Sequence, residues 1–212
     1  MKKILLVALL STFITNAQVR EKGSIELQPF AGFSTSKIYT DDLITYKSIV
    51  SPYFGVNFEF YFNSKWSVKT GVEFMQMGAK NPRFLNSGWD NIEEQSKETF
   101  TNIALPIHAT VHFGKKRNIY LNFGPTLTYG VNYKFQDKTI EMTTDINDVK
   151  NRFYAGFGVG VGYKYPINET ISIAADYQSF IRIPEFIDYG DETHYYFYGN
   201  SALNIKAIIK LK

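Results

Sequence analysis

Residues 155–165 read Ala155-Gly156-Phe157-Gly158-Val159-Gly160-Val161-Gly162-Tyr163-Lys164-Tyr165. Two faces alternate through this stretch without a slip. Ala155, Phe157, Val159, Val161, Tyr163 and Tyr165 share one face, and Gly156, Gly158, Gly160, Gly162 and Lys164 the other. After Pro166-Ile167-Asn168-Glu169-Thr170 the pattern restarts, with Ile171, Ile173, Ala175 and Tyr177 against Ser172, Ala174, Asp176 and Gln178. Period two over this length specifies two β-strands joined by a tight turn. One face is apolar and aromatic, the other small or polar. A soluble sandwich hides the apolar face in a core, whereas a transmembrane barrel turns it to lipid and fills its lumen with the other.

The chain has 212 residues, enough for one domain or one β-barrel, and 17% of them are aromatic. Residues 1–17 read as a secretory signal peptide: Lys2 and Lys3, an apolar run from Ile4 to Ile14, then Thr15-Asn16-Ala17. That run is too short to span a bilayer as a helix. Cleavage would leave residues 18–212 as the barrel domain, and loss of Lys2 and Lys3 would lower the formal charge from +3 to +1. A chain so near neutrality is not expected to bind nucleic acid. It has no cysteine, so neither a disulfide nor a thiol-anchored lipid is available.

Eight alternating segments follow in order. The first runs from about Ile25 to Ile38, the second from Phe54 to Phe62, and the third from Trp66 to Phe74. The fourth sets Ile103, Leu105, Ile107, Ala109, Val111 and Phe113 against Asn102, Ala104, His108, Thr110 and His112. The fifth spans Ile119 to Tyr133, the hairpin above supplies two more, and Leu203 to Leu211 closes the chain. Pro29, Pro106 and Pro125 fall inside strands, where bulges or kinks are expected.

The connections fix the architecture. Asn63-Ser64-Lys65, Gly114 to Asn118 and Pro166 to Thr170 are short, and the alternate connections are long and polar, extending the strands in part. Short turns therefore lie on the side of both ends of the chain, as in outer-membrane barrels with periplasmic turns and extracellular loops. A lipocalin-like barrel has an apolar lumen, whereas here the lumen receives Glu59, Lys69, Glu73, Asp176, Arg182 and Lys206. The expected fold is an all-β, eight-stranded antiparallel transmembrane up-and-down barrel.

The Asn16-Ala17-Gln18 junction, the glycine-rich strand Gly156 to Tyr163 and the closing strand Asn204 to Lys212 carry a resemblance. In layout the chain is similar to the small outer-membrane β-barrel domain proteins of the Bacteroidetes, the PorT-like family. More distantly it resembles eight-stranded barrels of the OmpX and OmpA type. The resemblance covers essentially the whole chain after the leader and implies fold and location. Some members of such families are accessory factors of a secretion system. Many outer-membrane proteins end on an aromatic residue, whereas this chain ends Leu211-Lys212.

Counting from the turns places Glu59 opposite Lys69, His112 opposite Tyr120 and His108 opposite Gly124. Glu59 and Lys69 read as a paired structural charge rather than a proton relay, because a small lumen has no bulk water and buried charges survive by pairing. Lys69→Met is then expected to cost more than replacing both partners. His108 and His112 share a strand face roughly 13 Å apart, too far for one metal. A hydrolase would need a nucleophilic serine beside one of them, and none sits in that strand pair at the right parity. Gly156, Gly158, Gly160 and Gly162 sit at period two with no helix following, so they are not a phosphate loop. They are expected to oppose Asp176, Ala174 and Gln178 and to leave room filled by Tyr61, Phe180 or Arg182. No cofactor is expected, and no catalytic or metal residue.

Phe62, Trp66, Phe113, Tyr163 and Tyr165 fall outward near the short turns, and Tyr129, Tyr133 and Tyr177 nearer the long connections. Two aromatic girdles at the two interfaces are what lipid headgroups favour. The long connections are acidic and polar around Asp41-Asp42, Asn91 to Glu94, Asp145 to Asp148 and Asp188 to Glu192. Asp145, Asn147 and Asp148 lack the central glycine and terminal glutamate of a calcium loop. The run Tyr195-Tyr196-Phe197-Tyr198 reads as a binding surface or as a continuation of the last strand. Expected partners are outer-membrane lipid and lipopolysaccharide, and envelope or secretion proteins. The leading expectation is a non-enzymatic structural or interaction role through the loops. A narrow channel and a membrane-embedded lipid-modifying enzyme are the alternatives.

Overall fold

The computed structural model describes residues 20–40, 44–84, 95–137, 142–146, 152–183, 185–188 and 193–212. The expected signal peptide, and the acidic positions Asp41, Asp42, Asn91 to Glu94, Asn147, Asp148 and Tyr189 to Glu192, lie outside the described residues. The strands are β1 (Ile25–Thr40), β2 (Ile44–Tyr61), β3 (Trp66–Phe84), β4 (Ser96–Phe113), β5 (Ile119–Asp137), β6 (Met142–Ile146), β7 (Phe153–Pro166), β8 (Ile171–Arg182), β9 (Glu185–Asp188) and β10 (Thr193–Lys210). Eight of them close a fully antiparallel barrel in the order β1-β2-β3-β4-β5-β7-β8-β10, with β10 pairing back onto β1. The short strands β6 and β9 lengthen the sheet beside β5 and β10.

The sequence dictates this closure locally. Asn63 Oδ1 accepts from the amides of Lys65 and Trp66, and Asn168 Oδ1 accepts from those of Thr170 and Ile171. One side-chain device thus reverses the chain at two of the three short turns. Every other residue then faces outward. Ile205 is 72% exposed and Phe33 71%, while Asn57, Asn102 and Asn122 are fully buried. This inverts a soluble core. The apolar side chains are satisfied only by lipid, and the closed ladders leave no sheet edge within the barrel wall.

Several strands run further than their hydrophobic pattern does. β2 begins at Ile44, β3 continues to Phe84, β4 begins at Ser96 and β10 at Thr193. The run Tyr195 to Tyr198 is therefore part of the last strand, where Phe197 pairs with Tyr39. A strand needs about 9–11 residues to cross a bilayer, and the 18 or 19 of β2 to β5 exceed that. The excess lies at the end of the long connections. There the β2–β3 register shifts between Ser48 and Tyr53, and Ser36 Oγ bonds to both the amide and the carbonyl of Gly78. A hydroxyl from β1 takes the place of a lost ladder bond.

The prolines do not shift the register. On one side Pro29 pairs with Val56, Pro106 with Thr126 and Pro125 with Phe157. On the other side the ladder lapses for a step or two and resumes in register, because a proline lacks only its own donor. The bulge in β5 lies instead at Val131, between the pairs Thr101–Asn132 and Asn102–Gly130. One extra residue reverses the facing of everything beyond it. Tyr133, expected outward in the loop-side girdle, consequently stands opposite Phe100 on the luminal side.

Candidate functional site

The lumen is where the polar residues converge, and it is built in layers. At the short-turn end Glu26 is fully buried and accepts from Arg20 Nε at 2.6 Å, Lys164 Nζ at 2.8 Å and the Tyr61 hydroxyl at 2.9 Å. Lys164 also donates to the Tyr61 oxygen at 2.8 Å. Gln28 bridges upward from Glu26 to Glu59. Glu59 further accepts from Ser67 Oγ at 2.5 Å and from His112 Nε2 at 2.9 Å, and the Tyr61 ring stacks on the imidazole.

Across the lumen Asp176 receives Lys206 Nζ at 2.5 Å, Tyr120 hydroxyl at 3.0 Å, Gln178 Nε2 at 3.1 Å and Asn204 Nδ2 at 3.0 Å. Glu73 accepts from the Tyr53 hydroxyl and from Asn57 Nδ2. His108 sits apart from His112, bonded to Asn122 and Thr126. Above this charged zone the lumen turns apolar, with Phe30, Tyr53, Met75, Met77, Ala104, Phe180 and Ala202 packed together under Tyr154 and Tyr198. The loop-side mouth is closed by Arg182, whose guanidinium lies 3.9 Å from the Tyr154 ring centre, and by Glu98, which accepts from Tyr133 and Tyr198. Glu98 lies five residues beyond Ile103, above the apolar belt. Burial raises its carboxyl, and burial with the neighbouring Glu98 pushes the Tyr133 hydroxyl up to about 12.

All six acidic and basic residues expected in the lumen are buried there, but they do not form one network. Glu59 and Lys69 are cross-strand neighbours, as counted from the turn, yet the carboxylate turns to His112, Ser67 and Gln28. Lys69 Nζ is buried without a hydrogen-bond partner among the described residues. Arg182 stands at the far rim. The ion cluster of Arg20, Glu26 and Lys164 is not announced by any sequence motif, although alternation turns Glu26 and Lys164 inward.

The four glycines are filled in as a packing device. A Cβ on Gly158 would meet the His108 ring at 2.6 Å, on Gly160 the Gln178 amide at 2.9 Å, and on Gly162 the Tyr120 ring at 2.3 Å. A Cβ on Gly156 would collide with the Phe180 ring. In register Gly162 faces Asp176, Gly160 faces Gln178 and Gly156 faces Arg182, while Ala174 faces Lys164 and not a glycine.

Serine, histidine and carboxylate do meet here, which strand-pair counting excluded. Ser67 comes from β3, one strand beyond the β4–β5 pair, and lies 2.9 Å from His112 Nε2. The arrangement is nonetheless not a nucleophile and its base. His112 uses the same nitrogen toward Glu59 and Ser67, so Nε2 carries the proton and donates, while Ser67 gives its own proton directly to Glu59. Both side chains are 1% exposed. Among the described residues no three His, Asp or Glu are placed to hold a metal ion.

A family model described as outer membrane protein beta-barrel domain matches residues 16–178. The chain belongs to that family. As an outer-membrane β-barrel domain protein it resides in the outer membrane, which accounts for its apolar exterior. It is similar to OprG from Pseudomonas aeruginosa, at 13% identity over 91% of this chain and 99% of that one, with a TM-score of 0.49. It is also similar to Ail, the attachment invasion locus protein of Yersinia pestis (15% identity, 89% and 99% covered, TM-score 0.45). Neisserial surface protein A is a third (12% identity, 90% and 100% covered, TM-score 0.44). No curated protein matches. On this outer-membrane barrel Phe62, Trp66, Phe113, Tyr163, Tyr165 and Tyr177 are exposed on the outer wall. Tyr129 is half-buried between Arg152, which donates to its hydroxyl, and Phe153.

Proposed function

We propose that this protein is a non-enzymatic interaction protein of the outer membrane, acting through its long connections and the sheet that stands above the apolar belt. In this reading the long connections face the cell exterior and the short turns the periplasm. The outward aromatics near each interface anchor the barrel in lipid, and the luminal ion pairs are structural.

The observation that carries the reading is the filling of the lumen. Cavities along it, one bounded by Glu73, His108, Gln178 and Phe180 and one by Arg20, Tyr61, His112 and Lys164, measure about 20 Å³ each, room for about one water apiece. A channel needs a continuous water file and a lipid-modifying enzyme needs a site that a lipid can enter. An accessory role in secretion, as some members of the resembling PorT-like families have, is the specific form proposed.

The test is affinity purification of the tagged protein from detergent-solubilised native outer membranes, paired with planar-bilayer recording. Stoichiometric recovery of secretion or assembly components, with no sustained conductance, is expected. Recovery of the barrel alone would remove the stable-complex role, and steady single-channel steps would restore the channel.

A further inference from the structure

The short-turn end of the barrel is basic and largely uncompensated. Lys22, Lys65, Lys115 and Lys116 are exposed there and Arg117 is half-buried, against the exposed carboxylates Glu21 and Glu169. None of these five cations makes an ion pair with a described residue. Two of the turns sit side by side, because His112 N–H donates to the Lys65 carbonyl at 2.8 Å and Arg117 Nη1 to the His112 carbonyl at 3.1 Å.

The charge converges on the mouth of the lumen. Arg20, Lys116, Arg117 and Lys164 surround the small cavity that Tyr61 and His112 also line. Beneath it Arg20 and Lys164 share the carboxylate of Glu26, and Glu59 is taken up by Gln28, Ser67 and His112. Four cations thus stand against two carboxylates. Arg117 holds its place at φ 54°, a left-handed conformation that asparagine or glycine adopts with less strain. The His112 bond uses one of its donors, and the others have no partner among the described residues. A strained arginine among like charges is retained where a ligand offsets both.

Position and size select the occupant. Arg20 and Lys164 are buried and bond to Glu26 and Tyr61 inside the ring of strands, whereas phospholipid headgroups lie outside the wall. The cavity measures about 20 Å³, room for about one water. That admits the tip of a carboxylate and not a sugar ring, and a guanidinium offers a carboxylate two parallel donors. We propose that the short-turn mouth docks an Asp- or Glu-rich peptide segment of a soluble protein, with one carboxylate seated between Arg20, Lys116 and Arg117. This adds a second contact surface at the end opposite the loop-side sheet, and it holds whichever compartment the mouth faces.

The experiment is fluorescence anisotropy of dye-labelled hexaglutamate, with hexaglutamine as the neutral probe, titrated with the folded protein in a zwitterionic detergent at low salt. The K116Q/R117N variant removes mouth charge and relieves the turn, and K22Q/K65Q removes as much charge from the rim. The parent is expected to bind hexaglutamate and not hexaglutamine. Binding is expected to fall about tenfold in the mouth variant and about threefold or less in the rim variant. Heat-modifiability on gels establishes that both are folded. Should the mouth variant not fold, K116Q alone, an exposed lysine, is expected to lose about threefold. Equal losses in the two double variants would overturn the proposal, because diffuse charge would then suffice. Absence of hexaglutamate binding by the parent would also overturn it. Displacement of the probe by phosphatidylglycerol as readily as by unlabelled hexaglutamate would overturn the peptide occupant in favour of lipid.

Discussion

Glu59 faces Lys69 directly across the β2–β3 ladder, and the two side chains do not bond. The carboxylate is instead saturated by Gln28, Ser67 and His112, all donors. Glu59→Leu strands three buried donors, the His112 imidazole among them, and is expected to cost about 3–5 kcal/mol. Lys69→Met removes an ammonium that satisfies no hydrogen bond and should cost about 1 kcal/mol. Simple pairing predicts instead that breaking either partner costs more than replacing both. Urea unfolding in lipid vesicles, followed by tryptophan emission, ranks the two. Equal losses would show that Lys69 and Glu59 act as one pair after all.

The glycine strand gives a sharper contrast. Gly162→Ala places a methyl 2.3 Å from the Tyr120 ring and disturbs its bond to Asp176. Overpacking of this kind costs about 1–3 kcal/mol. Gly130→Ala meets nothing closer than 3.6 Å, and should be neutral or better. Heat-modifiability on gels reads both, and a Gly162→Ala protein as stable as its parent would mean the Tyr120 ring has somewhere else to go.

Stability should also depend on pH through Glu98. Burial raises its carboxyl in the folded state, against the opposing pull of the Tyr198 and Tyr133 hydroxyls. The folded protein therefore holds the proton more tightly than the unfolded chain. That contribution is fully present below the unfolded value, about 4.3, and is lost as pH rises through the folded one. Glu98→Gln should flatten the dependence and leave the variant more stable than its parent at neutral pH. Unfolding midpoints measured from pH 4 to 8 would decide, and parallel curves for the two proteins would dismiss Glu98 as the source.

Trp66 reports the short-turn girdle. It is 40% exposed on the outer wall, and Trp89 is the only other tryptophan. In a Trp89→Phe background, brominated lipids should quench the remaining emission most when bromine sits near the carbonyls. Strongest quenching from bromine at the chain ends would place Trp66 in the bilayer centre and remove it from the girdle.

The barrel was legible because its signal is strict: alternation, short turns and inward charges agree over eight segments. What escaped the sequence is what alternation cannot encode. From alternation alone Tyr133 reads as outward, because Val131 does not announce a bulge, and one inserted residue reverses every facing beyond it. Strand-pair counting does not reach Ser67, because luminal side chains extend past their own strand pair. Glu59 and Lys69 were placed correctly as neighbours, but adjacency of backbones does not choose among competing donors. The extended upper strands were hidden because above lipid the outer face no longer needs to be apolar.

The closure of β10 onto β1 carries a final consequence. Ile25 and the segment Leu211-Lys212 exchange hydrogen bonds, with Ile25 N–H donating to Lys212 at 3.1 Å and Leu211 N–H donating to Ile25 at 2.8 Å. Seen from the sheet alone, the wall is a cycle in which no strand ranks as first or last. A chain linked across that seam and reopened at one of the long connections would keep every ladder of the barrel. Strand order in the gene and strand order in the membrane are, for this wall, separable quantities.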